Sequence, residues 1–351
     1  MVRQRLGLAA AAAAAVILSA PFVQQLFVVL SSDWPVQFQR IAIGATVVPT
    51  CLALLYAAAR IRSHFLPRYA LLALALVIGA GYVFVNALSV TERFHFVEYG
   101  VLGFLFYRAW RPVSDVSAFV LPVLAGTIAG VFDEWFQWFI PIRAGEARDI
   151  VLNAVASVCG LLFAVSVDPP ERFTTRLRPH SRVSVGTWSL AGIAVFAAFF
   201  LTVHVGYDVS DSEVGSFRSR YSAEALARMS RDRAERWRNA PPLVQRRLWR
   251  EDQYLTEGLW HVARRNDAWT AGDVSTAWRE NLILEKFYAP VLDNPTYADR
   301  TGHRWPSAQR ADAAERGGRN SKAEASDAYP YPLYVWPTNR VAVDPPHSTC
   351  C

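Results

Sequence analysis

Seven apolar stretches, each long enough to cross a lipid bilayer, follow one another before Gly206 and leave a chain of this kind few folds to choose from. They fall near 6–30, 41–59, 69–90, 94–110, 116–140, 150–167 and 183–205. A helix rises about 1.5 Å per residue, so about 20 residues span a hydrocarbon core of roughly 30 Å, a length soluble core helices rarely need. In lipid each backbone N–H and C=O must be satisfied within the protein, which points to helices over these stretches. The expectation is an all-α fold. A polytopic membrane bundle of about seven spans occupies 1–206, a mostly helical extramembrane domain 207–307, and a linker with a Pro/aromatic-rich extended tail 308–351. The segments 94–110 and 150–167 are the least secure spans, because polar residues interrupt them.

The first stretch has the outline of a secretory signal, with Arg3 and Arg5 ahead of an alanine-rich run ending near Ser19 and Ala20. Leu18 stands where cleavage wants a small residue, Pro21 follows, and the apolar run resumes through Phe27 to Leu30, so it reads as an uncleaved anchor. Arginine asymmetry then sets the orientation. With the N-terminus in the cytoplasm, eleven arginines (3, 5, 60, 62, 68, 108, 111, 172, 176, 178 and 182) lie inside. Four (40, 93, 143 and 148) lie outside. Seven spans therefore put the chain from about 207 onward outside the cytoplasmic membrane.

The pI of about 9.3 has the same origin. From Tyr207 onward 21 Lys and Arg face 20 Asp and Glu, so the net +6 comes from membrane-flanking arginines. It is not a nucleic-acid footprint, and no nucleic-acid partner is expected. Cys51 and Cys159 lie inside spans, and neither a disulfide framework nor a CxxC pair is present.

Charges inside a bilayer are costly unless paired, hydrated or protonated, so the informative residues are those that interrupt the spans. One cluster opens the fourth span, where Glu92, His95, Glu98 and Tyr99 share roughly 120° of helix arc. A second, Asp133, Glu134 and Gln137, closes the fifth. Arg143 stands in the short loop beyond, and Asp149 and Asn153 open the sixth four residues apart. Alternating helix direction brings the start of span four, the end of five and the start of six to one membrane face. All ten residues can therefore meet, with Glu134 about 10 Å below the outer boundary.

This pattern resembles the VanZ-like membrane proteins. They have a charged residue and histidine opening one helix, an acidic pair, glutamine and arginine closing the next, and aspartate and asparagine opening a third. The resemblance covers about 91–165. It departs where many members have Asp-Lys ahead of the histidine and this chain has Thr91-Glu92-Arg93 and an added Glu98, so a lysine-dependent role does not carry over. What the resemblance implies is a bacterial envelope protein associated, in some members, with resistance to glycopeptides such as teicoplanin. Implied partners are membrane lipids and a lipid-linked cell-wall precursor or lipoglycopeptide.

Three readings of the cluster stand open. Its ion pairs and hydrogen bonds can simply lock three helices together. It can bind a lipid headgroup or other ligand from the outer leaflet. Or His95 with Glu98, Asp133 and Glu134 can serve an intramembrane enzyme, since carboxylate and imidazole suit both metal ligation and proton transfer. No HExxH, phosphate loop or nucleophile elbow accompanies them, so the reading leans away from an enzyme without closing that alternative, and no cofactor or resident metal is expected. Gly100, Gly103, Ser157 and Gly160 are read as close-packing positions, and Trp34, Trp135 and Trp138 as an aromatic belt.

Beyond the bundle, helical patterning runs over 222–238, 243–265 and 272–290, with Ser222 as an N-cap. The stretch Arg265–Trp278 has a small-residue turn between two amphipathic runs, as in a helical hairpin. This domain is also a candidate for recruiting an envelope protein through 207–307, the scaffold alternative. Residues 308–328 read as a linker or frayed helix, and Tyr329–Pro332 as extended.

Overall fold

The computed structural model describes residues 2–86, 90–140, 145–239, 253–293, 302–318, 333–335 and 341–343. Two compact units emerge, Met1–Phe200 and Leu201–Cys351. The first contains α1 (Val2–Asp33), α2 (Pro35–Arg60), α3 (Phe65–Val85), α4 (Val90–Trp110), α5 (Ser117–Trp138), α6 (Ala147–Val167) and most of α7 (Pro179–Val203). Each lies over one of the apolar stretches, with ends displaced by a few residues.

Among the described residues, six of these helices are long and apolar enough to cross a membrane, and α4 is the exception. The reason is its sequence: Glu92, Arg93, His95, Glu98 and Arg108 dilute its apolar character. Yet α4 is central to the bundle and packs against α1, α2, α5 and α6. Helices α5 and α6 pack on each other, and α3 packs on α6. Two of these polar side chains meet helical neighbours, Glu92 at Arg148 of α6 and His95 at Asp133 of α5.

The distribution of side chains is inverted relative to a water-soluble fold. Leu18, Leu55, Val77 and Leu190 lie exposed on the outer helices, while Asp133, Glu134, Gln137 and Asn153 are buried. Such an apolar exterior is what lipid selects and water penalises. Inside, Tyr99, Leu102 and Phe106 of α4 meet Ala9 and Ala13 of α1 and Leu121, Ala125 and Ala129 of α5.

Close approach of α4, α5 and α6 depends on missing side chains. A Cβ at Gly160 would strike the backbone of Gly100, and one at Gly103 the backbone of Ser157. On α5, Gly126 and Gly130 leave room for Ser157 and Asn153 of α6. The first set matches the small-residue reading of the sequence. The second, a GxxxG pair, went unread although its spacing is a known packing signal.

At the opposite end of these helices from the polar cluster, Asp115 ties the α4–α5 turn to the start of α7. It accepts hydrogen bonds from Ser117, the Arg178 amide at 3.2 Å and Ser181 Oγ at 2.7 Å. Burial opposes its ionisation, but those donors hold the carboxyl below the usual carboxylate range.

The second unit departs from the helical expectation at its start. Strands β1 (Val205–Asp211) and β2 (Gly215–Ser219) form an antiparallel hairpin, with Val209 opposite Phe217. Strands β3 (Tyr334–Val335) and β4 (Val341–Val343) add to β1 in parallel. Helices α8 (Ala223–Asn239), α9 (Gln253–Thr270), α10 (Val274–Phe287), α11 (Ala289–Leu292) and α12 (Ser307–Glu315) complete it. Ser222 Oγ accepts the Ala225 amide at 3.3 Å, as its N-cap reading requires. The α9–α10 turn passes through Gly272 at φ +78°, and Asp273 caps α10 through the Thr276 amide. The stretch read as a linker or frayed helix is helical over Ser307–Glu315 and buries Ala313 against Ala277 and Trp305. Residues 243–252 and 319–332, including Tyr329–Pro332, lie outside the described residues.

Candidate functional site

The cluster assembles where α4 begins, α5 ends and α6 begins. On α4, His95 Nδ1 lies 3.1 Å from Glu98 Oε2 one turn on and 4.0 Å from Asp133 Oδ2 of α5. Tyr99, fully buried, donates to the same Asp133 oxygen at 3.2 Å. An acid buried among three packed helices is held because a phenol and an imidazole are brought to it.

Glu134 belongs to the α5–α6 side. Its Oε1 accepts from Gln137 Nε2 at 3.2 Å and its Oε2 from the backbone amide of Glu146, also at 3.2 Å. The chain can fold back over α5 here because Gly145 has no side chain: a Cβ there would collide with the Glu134 carbonyl oxygen. One carboxylate thus fixes the entry to α6. Asp149 in the first turn of that helix suits the positive end of its dipole.

On the α3–α4–α6 side, Arg148 forms an ion pair with Glu92, and its Nε lies 3.7 Å from Asp149 Oδ1. Arg148 was counted in the sequence only as a topological charge, although its place beside Asp149 at a helix start was a usable signal. Of the ten residues singled out, Glu92, His95, Glu98, Tyr99, Asp133, Glu134, Gln137, Asp149 and Asn153 lie at this end of the bundle. Arg143 lies outside the described residues.

Asn153 and Ser157 extend the polar surface of α6 inward. Both are buried, at 1% and 0% exposure. Among the described residues the Asn153 amide makes no hydrogen bond through either atom, and Ser157 Oγ makes none. A Cβ at Gly130, three residues before Asp133, would come within 2.9 Å of Asn153 Cβ. Asn153 therefore packs against α5 at the level of Gly130, one turn deeper than Asp133 and one turn below Asp149 on its own helix. Such groups ordinarily find partners, and leaving one unmade costs about 1–3 kcal/mol.

The aromatic-belt expectation needs correction at one position. Trp34 is exposed, but Trp138 is buried and packs edge-on against Phe139. It belongs to the wall behind Glu134, beside Gly145, and not to a lipid-facing girdle. Among the described residues no group of three or more His, Cys, Asp or Glu is placed to hold a metal ion.

A family model described as VanZ/LLP1 matches residues 21–168. The matched segment contains α2 to α6 entire, and with them every residue of the cluster. It stops short of α7 and the second unit. No curated protein and no solved structure matches the chain.

Proposed function

Since residues 21–168 form a VanZ-like region within a bundle of apolar helices, we propose that this protein is a non-enzymatic envelope membrane protein that binds the polar part of a lipid-anchored molecule. The binding group is the α4–α5–α6 cluster. The ligand is a lipid-linked envelope component or a lipoglycopeptide, entering from the outer half of the bacterial cytoplasmic membrane. The N-terminus lies in the cytoplasm and the second unit outside, as the arginine asymmetry requires.

The observation that carries this reading is the Asn153 amide, buried against Gly130 one turn below Asp133 and Asp149, with no hydrogen bond of its own among the described residues. The lock between helices uses other groups: Tyr99 with Asp133, Glu134 with the Glu146 amide, and Glu92 with Arg148. Packing alone gives no reason for Asn153 to be polar.

The test is retention of lipid. The full chain, purified in a neutral detergent, is expected to carry a defined lipid-anchored species seen by mass spectrometry. Glu134→Gln and His95→Ala should lose it at unchanged membrane abundance, while Arg176→Ala keeps it. Identical lipid content in all four proteins would reduce the cluster to a helix lock. Separately, a reporter fused after Asp208 should be active only outside the cytoplasm, and cytoplasmic activity would overturn the orientation.

A further inference from the structure

At the end of the bundle away from the polar cluster, the arginines that set the orientation are of two kinds. Arg5 donates to the Arg108 carbonyl at 3.3 Å, Arg68 to those of Ser166 and Val167 at 2.6 and 2.8 Å, and Arg111 to that of Pro169 at 3.2 Å. These three close helix ends, where cations are favoured. Arg172, Arg176, Arg178 and Arg182 do nothing of the kind. All four are exposed, and their guanidinium groups make no hydrogen bond or ion pair among the described residues. We propose that this α6–α7 connection is a docking surface for the phosphate headgroups of anionic phospholipids in the leaflet at that end of the bundle.

Charge complementarity is the first support. The acids of the connection, Asp168 and Glu171, lie 3.0 and 3.9 Å from Arg111 Nη2, so they are answered by an arginine outside the four. The first turn of α7 contains no acid, and a helix start by itself disfavours cations, so Arg178 and Arg182 do not serve the helix. Placement is the second support. The connection joins two helices long and apolar enough to cross a membrane, α6 ending at Val167 and α7 beginning at Pro179, which puts the arginines between them at headgroup depth. Phe173, in their midst, is 47% exposed, with its ring edge-on to Phe119 at 5.1 Å. An exposed aromatic ring among arginines suits the boundary of headgroups and acyl chains better than an acidic partner in water. The backbone is also held in advance. Tyr107 donates to the Asp168 carbonyl at 2.9 Å and the Thr174 amide to that of Ser114 at 3.1 Å, while Asp115 takes the Arg178 amide and Ser181 Oγ. Docking then has to order little more than side chains.

Each arginine adds a modest attraction, so the test changes them together. The full chain in a neutral maltoside detergent is titrated, under native mass spectrometry, with a phosphatidylglycerol and a phosphatidylcholine of identical acyl chains. The parent is expected to hold the phosphatidylglycerol about tenfold more tightly. Changing Arg172, Arg176, Arg178 and Arg182 together to Gln should cut that preference to roughly twofold, with near-ultraviolet circular dichroism unchanged. The same exchange at Arg228, Arg231, Arg236 and Arg238, exposed on α8, removes equal charge and should leave the preference in place. Arg172→Gln with Arg176→Gln, both ahead of α7, should lose an intermediate part, which keeps the proposal refutable where the larger variant folds poorly. A parent without preference for phosphatidylglycerol would overturn it. So would a preference that survives both connection variants or falls as far in the α8 variant. Displacement of the lipid by millimolar inorganic phosphate would mark a site for a free anion and overturn the assignment to a membrane surface. The ligand reading of the polar cluster stands or falls separately from all of these.

Discussion

Asn153 in the first unit and Asn281 in the second are equally hidden, at 1% and 2% exposure, yet their surroundings differ. Asn281 accepts from Arg265 Nη1 at 3.2 Å and donates to Glu285 Oε1 at 3.0 Å. Asn153 makes neither bond among the described residues. Other buried polar groups of the second unit are bonded as well. Glu257 accepts from Ser219 Oγ and Tyr288 OH at 3.1 Å and from the Arg220 amide at 2.7 Å. His261 meets Glu280 at 2.6 Å, and Arg265, whose pKa burial pushes down to about 10 despite Glu285, also reaches the His303 carbonyl at 2.9 Å. Buried polar groups ordinarily satisfy one another, although His261 Nε2 in the second unit also makes no hydrogen bond among the described residues. Where the apolar bundle keeps the Asn153 amide without a bond among the described residues, the ligand proposed above would supply one.

If this contrast is right, the largest loss of stability belongs to the second unit. Glu257→Ala strands a hydroxyl, a phenol and an amide together in a dry core. The expected cost is about 3–5 kcal/mol, as for other buried networks cut on one side. Urea unfolding of the full chain in detergent, followed by near-ultraviolet circular dichroism, measures it. A loss below about 1 kcal/mol would mean that the network is not the structural device it is taken for here.

The asparagines themselves provide a matched pair with opposite signs. Asn281→Leu should destabilise by about 1–3 kcal/mol, because Arg265 and Glu285 each lose a partner. Asn153→Leu removes an amide with no bond to lose, so stability should hold or rise by about 1 kcal/mol, while ligand retention disappears. Equal destabilisation at both positions would show that Asn153 is as structural as its counterpart and would erase the contrast.

Much of the first unit was legible in the sequence because lipid enforces a simple rule, and apolar length maps onto helices α1 to α7 almost one for one. Only α4 breaks the rule, because its Glu92 and His95 meet Arg148 of α6 and Asp133 of α5. The grouping of the cluster was legible for a related reason, since alternating direction fixes which helix ends meet. The Glu134 bond to the Glu146 amide was not, because it depends on a backbone excursion that only Gly145 permits. Nor was the lack of a hydrogen bond to Asn153 among the described residues, which depends on how helices pack and not on one segment. In the second unit the hairpin was missed because Val205, at its start, reads as the end of an apolar span. The strands that complete the sheet lie more than 100 residues later, beyond the reach of local periodicity.

The smallest effect expected is an acid-range one, and it separates the carboxylates of the second unit from each other. Asp211 lies 2.7 Å from Lys286 Nζ and accepts the Glu213 and Val214 amides at 2.9 and 3.0 Å. Burial opposes its ionisation, but the lysine and the two amides hold its carboxyl below the usual carboxylate range. A depressed folded-state pKa contributes stability that is fully present above the unfolded value, near pH 4, and is lost as pH falls through the folded value. Glu257 has the opposite sign. Burial raises its pKa despite the hydrogen bond from the Arg220 amide, so its contribution grows as pH falls from that raised value toward the unfolded one. Asp211→Asn keeps an acceptor for the amides and removes the charge. The variant should therefore be less stable than the parent at pH 7 and converge on it below about pH 3. Urea midpoints of the two proteins at pH 7, 5 and 3 read the gap directly, and the Glu257 contribution, common to both, cancels in the difference. A gap of constant size across that range would mean that Asp211 holds the hairpin by shape and not by charge, and that the second unit's ion pairs are as dispensable as surface pairs usually are.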